Sequence, residues 1–268
     1  MQKLRQRYRY SAILLREIVR TDFKLRYQGS ALGYLWSLLR PLFIFTILYF
    51  VFVRFLKIGT QVPHPAVYLL LGIVLWNYFV EVTSGSVGAI VGKGDLLRKI
   101  NFPKYVIVIA VSLSALINLL LNFVVIGVFM AFNHVSLTGH AFILLPLLVE
   151  MFIFSIGVAF FLSALFVRFR DISYIWDVII QAGFYATPIF YLLDRLPHRF
   201  AKFVILSPMA QIIQDARHSL ITNQSATIYQ VYSGDKFIWL IPIGITLLIA
   251  GAAAAYFRSQ SRSFAEEI

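Results

Sequence analysis

Six apolar stretches, at 37–57, 66–91, 105–132, 142–167, 172–193 and 237–257, fill most of the chain. The first becomes continuously apolar at Pro41. A spanning helix needs about 20 mostly apolar residues, because the hydrocarbon core is about 30 Å thick and each residue rises about 1.5 Å. Six such runs do not fit inside a soluble domain of 268 residues. The expected fold is an all-α integral membrane protein with six transmembrane helices. Composition points the same way: 13% of the residues are charged, against roughly 25% in ordinary soluble domains.

A formal net charge of +12 would suggest nucleic acid as a partner in a soluble protein. Here the placement of the charge matters more, and no nucleic-acid partner is expected. Basic residues crowd the N-terminal segment (Arg5, Arg7, Arg9, Arg16, Arg20, Lys24, Arg26, Arg40) and recur at Lys93, Arg98, Lys99 and Lys104. They return at Arg168 and Arg170, then at Arg258 and Arg262. These clusters fall on one side of successive spans, which the positive-inside rule makes cytoplasmic. Both termini are then cytoplasmic. The other side carries Arg195, Arg199, Lys202, Arg217 and Lys236, fewer and in a longer connection. The first apolar run lies well inside the chain with no nearby small-residue cleavage site, which reads as a retained span. Without cysteine, disulfides, thiolate metal sites and a cysteine nucleophile are excluded.

Ahead of the first span, Ile13, Leu14, Ile18, Val19 and Leu25 recur at helical spacing, while Arg16, Arg20 and Lys24 repeat every four residues on another face. That pattern predicts an amphipathic helix over 8–33, lying in the membrane interface. The alternative is a polar tail that only sets topology. It is weaker, because the periodicity runs directly into Gly29, Gly33 and the first span. After the second span a glycine-rich exit leads to a short cytoplasmic helix over 94–102, stopped by Pro103. Region 194–235 is external but carries Phe200, Phe203, Ile205, Met209, Ile212 and Ile213, too apolar for a solvated loop. It reads as a re-entrant helical hairpin before the last span.

The motifs for chemistry are thin. Gly88–Lys93 has three residues between its glycines and Gly94 after the lysine, so it is not a phosphate-binding P-loop. The five histidines form no metal-like pair on a helix face, no metal site is expected, and no nucleophile elbow is present. Glu81, Glu150 and Asp177 fall within apolar spans. Carboxylates there are costly, and they read as interhelical hydrogen-bonders or cavity liners, with a proton relay as the alternative. Aromatic residues are dense around the fifth span (Tyr174, Trp176, Phe184, Tyr185, Phe190, Tyr191), and Thr187-Pro188 interrupts its helix. Such rings suit either sugar C–H faces or lipid packing.

Three motifs carry a resemblance. The run from Asp22 to Pro41, the cytoplasmic segment from Asp95 to Lys104, and the stretches Phe169–Ile172, Phe184–Tyr191 and Ser207–Ala210 resemble ABC-2 type permeases that export polysaccharides. The likeness covers nearly the whole chain in order, as a single transmembrane domain over 1–268. One departure is Ser207-Pro208, where the family commonly has Asn-Pro; serine also caps helices.

The resemblance implies a permease subunit, not an enzyme, working as a homodimer with two separate ATP-binding cassette subunits. ATP and Mg²⁺ would be bound by those partners, with no cofactor in this chain. Leu96, Leu97, Arg98, Lys99, Ile100 and Phe102 would dock on the ATPase. Arg16, Arg20, Lys24 and Arg26 would flank an entrance for a lipid-pyrophosphate headgroup. Tyr34, Trp36, Tyr49, Phe184, Tyr185 and Tyr191 would line the glycan path. The substrate would be a lipid-linked polysaccharide such as O-antigen or teichoic acid, exported across a bacterial or archaeal cytoplasmic membrane. The alternatives are ABC-2 export of small hydrophobic drugs and a proton-coupled secondary transporter.

Overall fold

A computed structural model describes residues 12–22, 32–57, 62–99, 102–136, 139–235, 237–261 and Phe264. Within them every regular element is helical. Five helices are long and apolar enough to cross a membrane: Trp36–Phe55, Pro65–Val87, Tyr105–Phe132, Gly139–Arg168 and Leu240–Gln260. The chain is thus a multi-pass membrane protein. In order, α1 covers 12–22 and α2 (Trp36–Leu48) runs on into a π-helical turn, Tyr49–Phe55. Next come α3 (Pro65–Val87), the short α4 (Ala89–Gly92) and α5 (Gly94–Lys99), then α6 (Tyr105–Phe132) and α7 (Leu144–Arg168). The last five are α8 (Ile172–Ala186), α9 (His198–Ile205), α10 (Pro208–Leu220), α11 (Ile228–Val231) and α12 (Leu240–Gln260).

The stretch 172–193 is helical only to Ala186, so α8 has 15 residues. That is about 22 Å, short of the hydrocarbon thickness. The cause is local. Thr187 is extended, as expected before a proline, and Pro188 offers no N–H to the ladder.

α3 is the central post. It begins with Pro65 at its first turn and through Trp76 is apolar on all sides, with Leu70, Leu71, Ile73 and Leu75 fully enclosed. A helix hydrophobic all round is a buried one. Around it stand α2, α6, α7, α8 and α10. α10 is almost wholly buried although it lies in the region between α8 and α12, and it packs on α7, α3 and α12.

α7 and α12 approach most intimately at Gly157, where a Cβ would stand 2.8 Å from Ala250 Cα. Phe160–Phe257 (4.9 Å) and Phe161–Tyr256 (5.7 Å) continue the seam toward one end. Without a hydrophobic drive between helices in lipid, such close backbone contact supplies much of the packing. Gly157→Val is therefore expected to push α12 off α7 and lower the thermal unfolding midpoint in detergent by several degrees, since overpacking costs about 1–3 kcal/mol. An unchanged midpoint would show that the seam carries little stability.

Candidate functional site: a polar cavity beneath an aromatic cluster

Between α2 and α8, over the face of α3, lies a cavity of about 590 Å³ that reaches α6. Ser37 and Arg40 line it from α2, Asn77, Glu81 and Ser84 from α3, Asn118 and Asn122 from α6, and Asp177 from α8. Asn118 Nδ2 donates to Glu81 Oε1 at 2.6 Å. Asn122 Nδ2 donates to the carbonyls of Asn118 (2.8 Å) and Ser37 (3.3 Å), tying α6 to α2. Two carboxylates, a guanidinium and several amides are costly against lipid, so this lining suits water or a polar cargo. Glu150, the third acid among the spans, is buried in α7 and does not line it.

Beyond this cavity the same gap is filled by rings. Phe52 of α2 meets Phe190 at 4.6 Å, and Phe190 also touches Phe184 (5.9 Å), Tyr185 (5.9 Å) and Tyr191 (5.3 Å). Trp76 of α3 backs Phe184 at 6.2 Å, and Trp176 Nε1 donates to Thr83 Oγ1 at 3.2 Å, holding α8 on α3. Of the six residues named as path lining, Phe184, Tyr185 and Tyr191 thus meet in one cluster. Trp36 instead lines the polar cavity. Tyr49 packs against Phe45 at 5.6 Å, and Phe45 in turn against Phe129 of α6, on another side of α2. The side chain of Tyr34 lies outside the described residues.

At the other end of α3, α5 and the residues just after it hold the segment expected from the sequence to dock on a partner. Phe102 is buried with Ile18 of α1 and with Val106, Ile107 and Ala110 of α6, and Leu96 and Leu97 pack against that cluster. These three apolar residues therefore hold the segment to the permease itself, while Arg98 is exposed. Ile100 and the side chain of Lys99 lie outside the described residues. Lys93 Nζ bonds both Asp22 carboxylate oxygens, at 2.8 and 3.0 Å, so the end of α1 is fixed to the α4–α5 turn. Lys104 Nζ donates to the Ser261 carbonyl and sits 5.3 Å from the Phe264 ring centre. Burial holds that ammonium below the usual lysine range. On α1, Ile18 faces inward while Arg16 and Arg20 are exposed; Lys24 and Arg26 lie outside the described residues.

Sequence reasoning overlooked two features. Ser114, Asn118 and Asn122 repeat every four residues in an otherwise apolar run, a readable sign that one stripe of α6 faces something polar. The other is Arg217, grouped by sequence with external loop charges. It is fully buried, and its guanidinium donates to the carbonyls of Tyr68 (3.0 Å), Pro188 (2.6 Å) and Ile189 (2.5 Å).

Residues 13–221 match the protein family described as ABC-2 type transporter. The chain is 27% identical to the O-antigen export system permease protein RfbA of Myxococcus xanthus, over 99% of this chain and 98% of that one. It is 30% and 28% identical to two proteins of the same name from Klebsiella pneumoniae, over 79% of this chain and 81% of each relative. Helices long enough to span, a polar-lined cavity among them, and a match over most of the sequence agree: the chain belongs to the ABC-2 type transporter family.

Proposed function

We propose that this chain is the permease subunit of an ATP-driven transporter exporting a lipid-linked cell-envelope polysaccharide, with O-antigen, teichoic acid and similar glycans as the substrate class. The observation that carries the reading is the polar cavity leading to a cluster of rings in one gap between α2 and α8. Amides and carboxylates suit sugar hydroxyls, and ring faces suit sugar C–H groups without gripping them. The relatives' printed name, O-antigen export permease, favours this cargo over small hydrophobic drugs.

The working unit is two copies of this chain with two ATP-binding subunits that hold ATP and Mg²⁺. Support for the second copy comes from α8, which buries no side chain within one chain and exposes Asp177 and Gln181 one turn apart. Polar groups there are better met by a shared aqueous path than by lipid. In this reading α8 with residues 187–192 makes the sixth crossing, and α9 and α10 form the re-entrant hairpin on the outer side. α1 lies in the inner interface, and both termini are cytoplasmic in the cytoplasmic membrane. Closure of the ATP-binding subunits pushes on α5 through Arg98. Phe102 passes that push to α1 and α6, the α2–α8 gap widens, and the glycan moves outward.

Depleting the protein in its native cell and quantifying lipid-linked glycan by mass spectrometry tests the assignment. Polymer accumulating on the cytoplasmic leaflet is the expected outcome; unchanged surface polymer without accumulation contradicts it. Neutralising the basic face (R16Q/R20Q/K24Q) is expected to raise the concentration of lipid-linked glycan needed to half-stimulate ATP hydrolysis. Each charge contributes about 1 kcal/mol near an anionic surface. If only membrane insertion suffers, those residues set topology and nothing more.

A further inference from the structure

Resting on the export reading above, we infer that Arg217 is the positioning residue that latches the outer end of the α2–α8 gap shut. When α8 stops at Ala186, the carbonyls of Pro188 and Ile189 lose any helical partner, and both residues are buried where water does not readily replace it. The Arg217 guanidinium supplies both partners and binds the Tyr68 carbonyl as well, so one side chain of α10 joins the chain after α8 to the first turns of α3. Among the described residues its hydrogen bonds all go to carbonyls. Its charge is further met by the face of Tyr68, 3.7 Å from ring centre to guanidinium carbon, and the Tyr68 hydroxyl donates to Gln214 at 3.3 Å. Gly72 makes the room, since a methyl group there would collide with Arg217 Nη2.

The segment so held is the one that blocks the gap. Directly after the clamped carbonyls, Phe190 packs on Phe52, and Tyr191 donates its hydroxyl to the Ala186 carbonyl at 2.7 Å. Between the π-helical turn after α2 and residues 189–192 lies only a small cavity of about 20 Å³, bordered by Phe52, Val53, Tyr68, Ile189, Phe190 and Tyr191. That holds about one water molecule, whereas the polar cavity measures about 590 Å³. For the proposed path to open here, residues 189–192 must leave α2 and α3, and the bonds from Arg217 must break.

The test uses the full permease with its ATP-binding partner in proteoliposomes, without ATP or glycan, and reads efflux of encapsulated radiolabelled sucrose. Arg217→Gln removes the clamp, Gly72→Ala displaces it with the charge kept, and Arg217→Lys keeps the charge with fewer reachable carbonyls. Arg199→Gln, an exposed charge on α9, is the control. Wild type and R199Q should stay tight. R217Q and G72A should leak at least about tenfold faster, as expected from losing charge-assisted bonds, with R217K between. Monodisperse R217Q and G72A that retain sucrose as wild type does would overturn the latch. So would failure of all three variants to elute as intact complex, which would make Arg217 a folding strut. Since no cargo is present, a leak in these variants beside unchanged lipid-linked glycan in depleted cells would uphold the latch while removing the export reading.

Discussion

Export falls to background when the charge at Arg98 and Lys99 is reversed together (R98E/K99E), while the permease stays in the membrane at its normal level. Arg98 is exposed at the end of α5, whose apolar residues Leu96 and Leu97 are already used against α1 and α6. Among the described residues expected to dock, Arg98 is the exposed one, so a partner would meet its charge first. Reversal sets like against like across the contact and costs several kcal/mol, more than about thirtyfold in affinity. The measurement is co-purification of the ATP-binding subunit together with permease-stimulated ATP hydrolysis. Intact stimulation in the double variant would remove the docking role.

A second large effect is expected at Phe102, for a different reason. Its ring is buried among Ile18, Val106, Ile107 and Ala110, where α1, the α5 exit and α6 meet. Phe102→Ala leaves a hole costing about 3–5 kcal/mol, more than the single Asp22–Lys93 ion pair, partly exposed, can offset. α1 should detach while the spans stay packed. Limited trypsin digestion should then cut at Arg16 or Arg20 much faster than in wild type, and export should fall even with the ATP-binding subunit still bound. Phe102→Leu, which refills most of the volume, should restore both. In R98E/K99E the trypsin pattern should be unchanged, so the two variants separate docking from transmission. Slow digestion of F102A would mean that Phe102 does not anchor α1.

How far the sequence reached depends on the range of the interaction. Apolar run length is a local property, and the stretches 105–132 and 142–167 appear as α6 and α7 with little displacement. The break in the fifth stretch was equally local, written in Thr187-Pro188. The candidate site was legible only in pieces. Glu81 and Asp177 look like isolated acids in separate spans, and nothing in their neighbourhoods says that α2 brings Arg40 to the same cavity. Phe184, Tyr185 and Tyr191 stood out by density, yet the residue that joins them, Phe190, touches α2 through Phe52, far away in sequence. Arg217 was the least visible. Its acceptors are backbone carbonyls, which leave no mark on residue type, and they come from α3 and from the end of α8. Arg217 falls on the helical stripe of Ala210, Ile213 and Leu220, and that spacing was the available signal.

The central claim is that this chain moves lipid-linked polysaccharide outward when a partner hydrolyses ATP. Its most direct test is transport by the purified complex in proteoliposomes whose outer leaflet is loaded with lipid-linked glycan and whose ATP-binding subunits face out. Adding ATP and Mg²⁺ is expected to make the glycan resistant to an externally added glycosidase. R98E/K99E is expected to prevent this. Glycan that remains fully digestible by the wild-type complex while ATP is consumed would contradict the account.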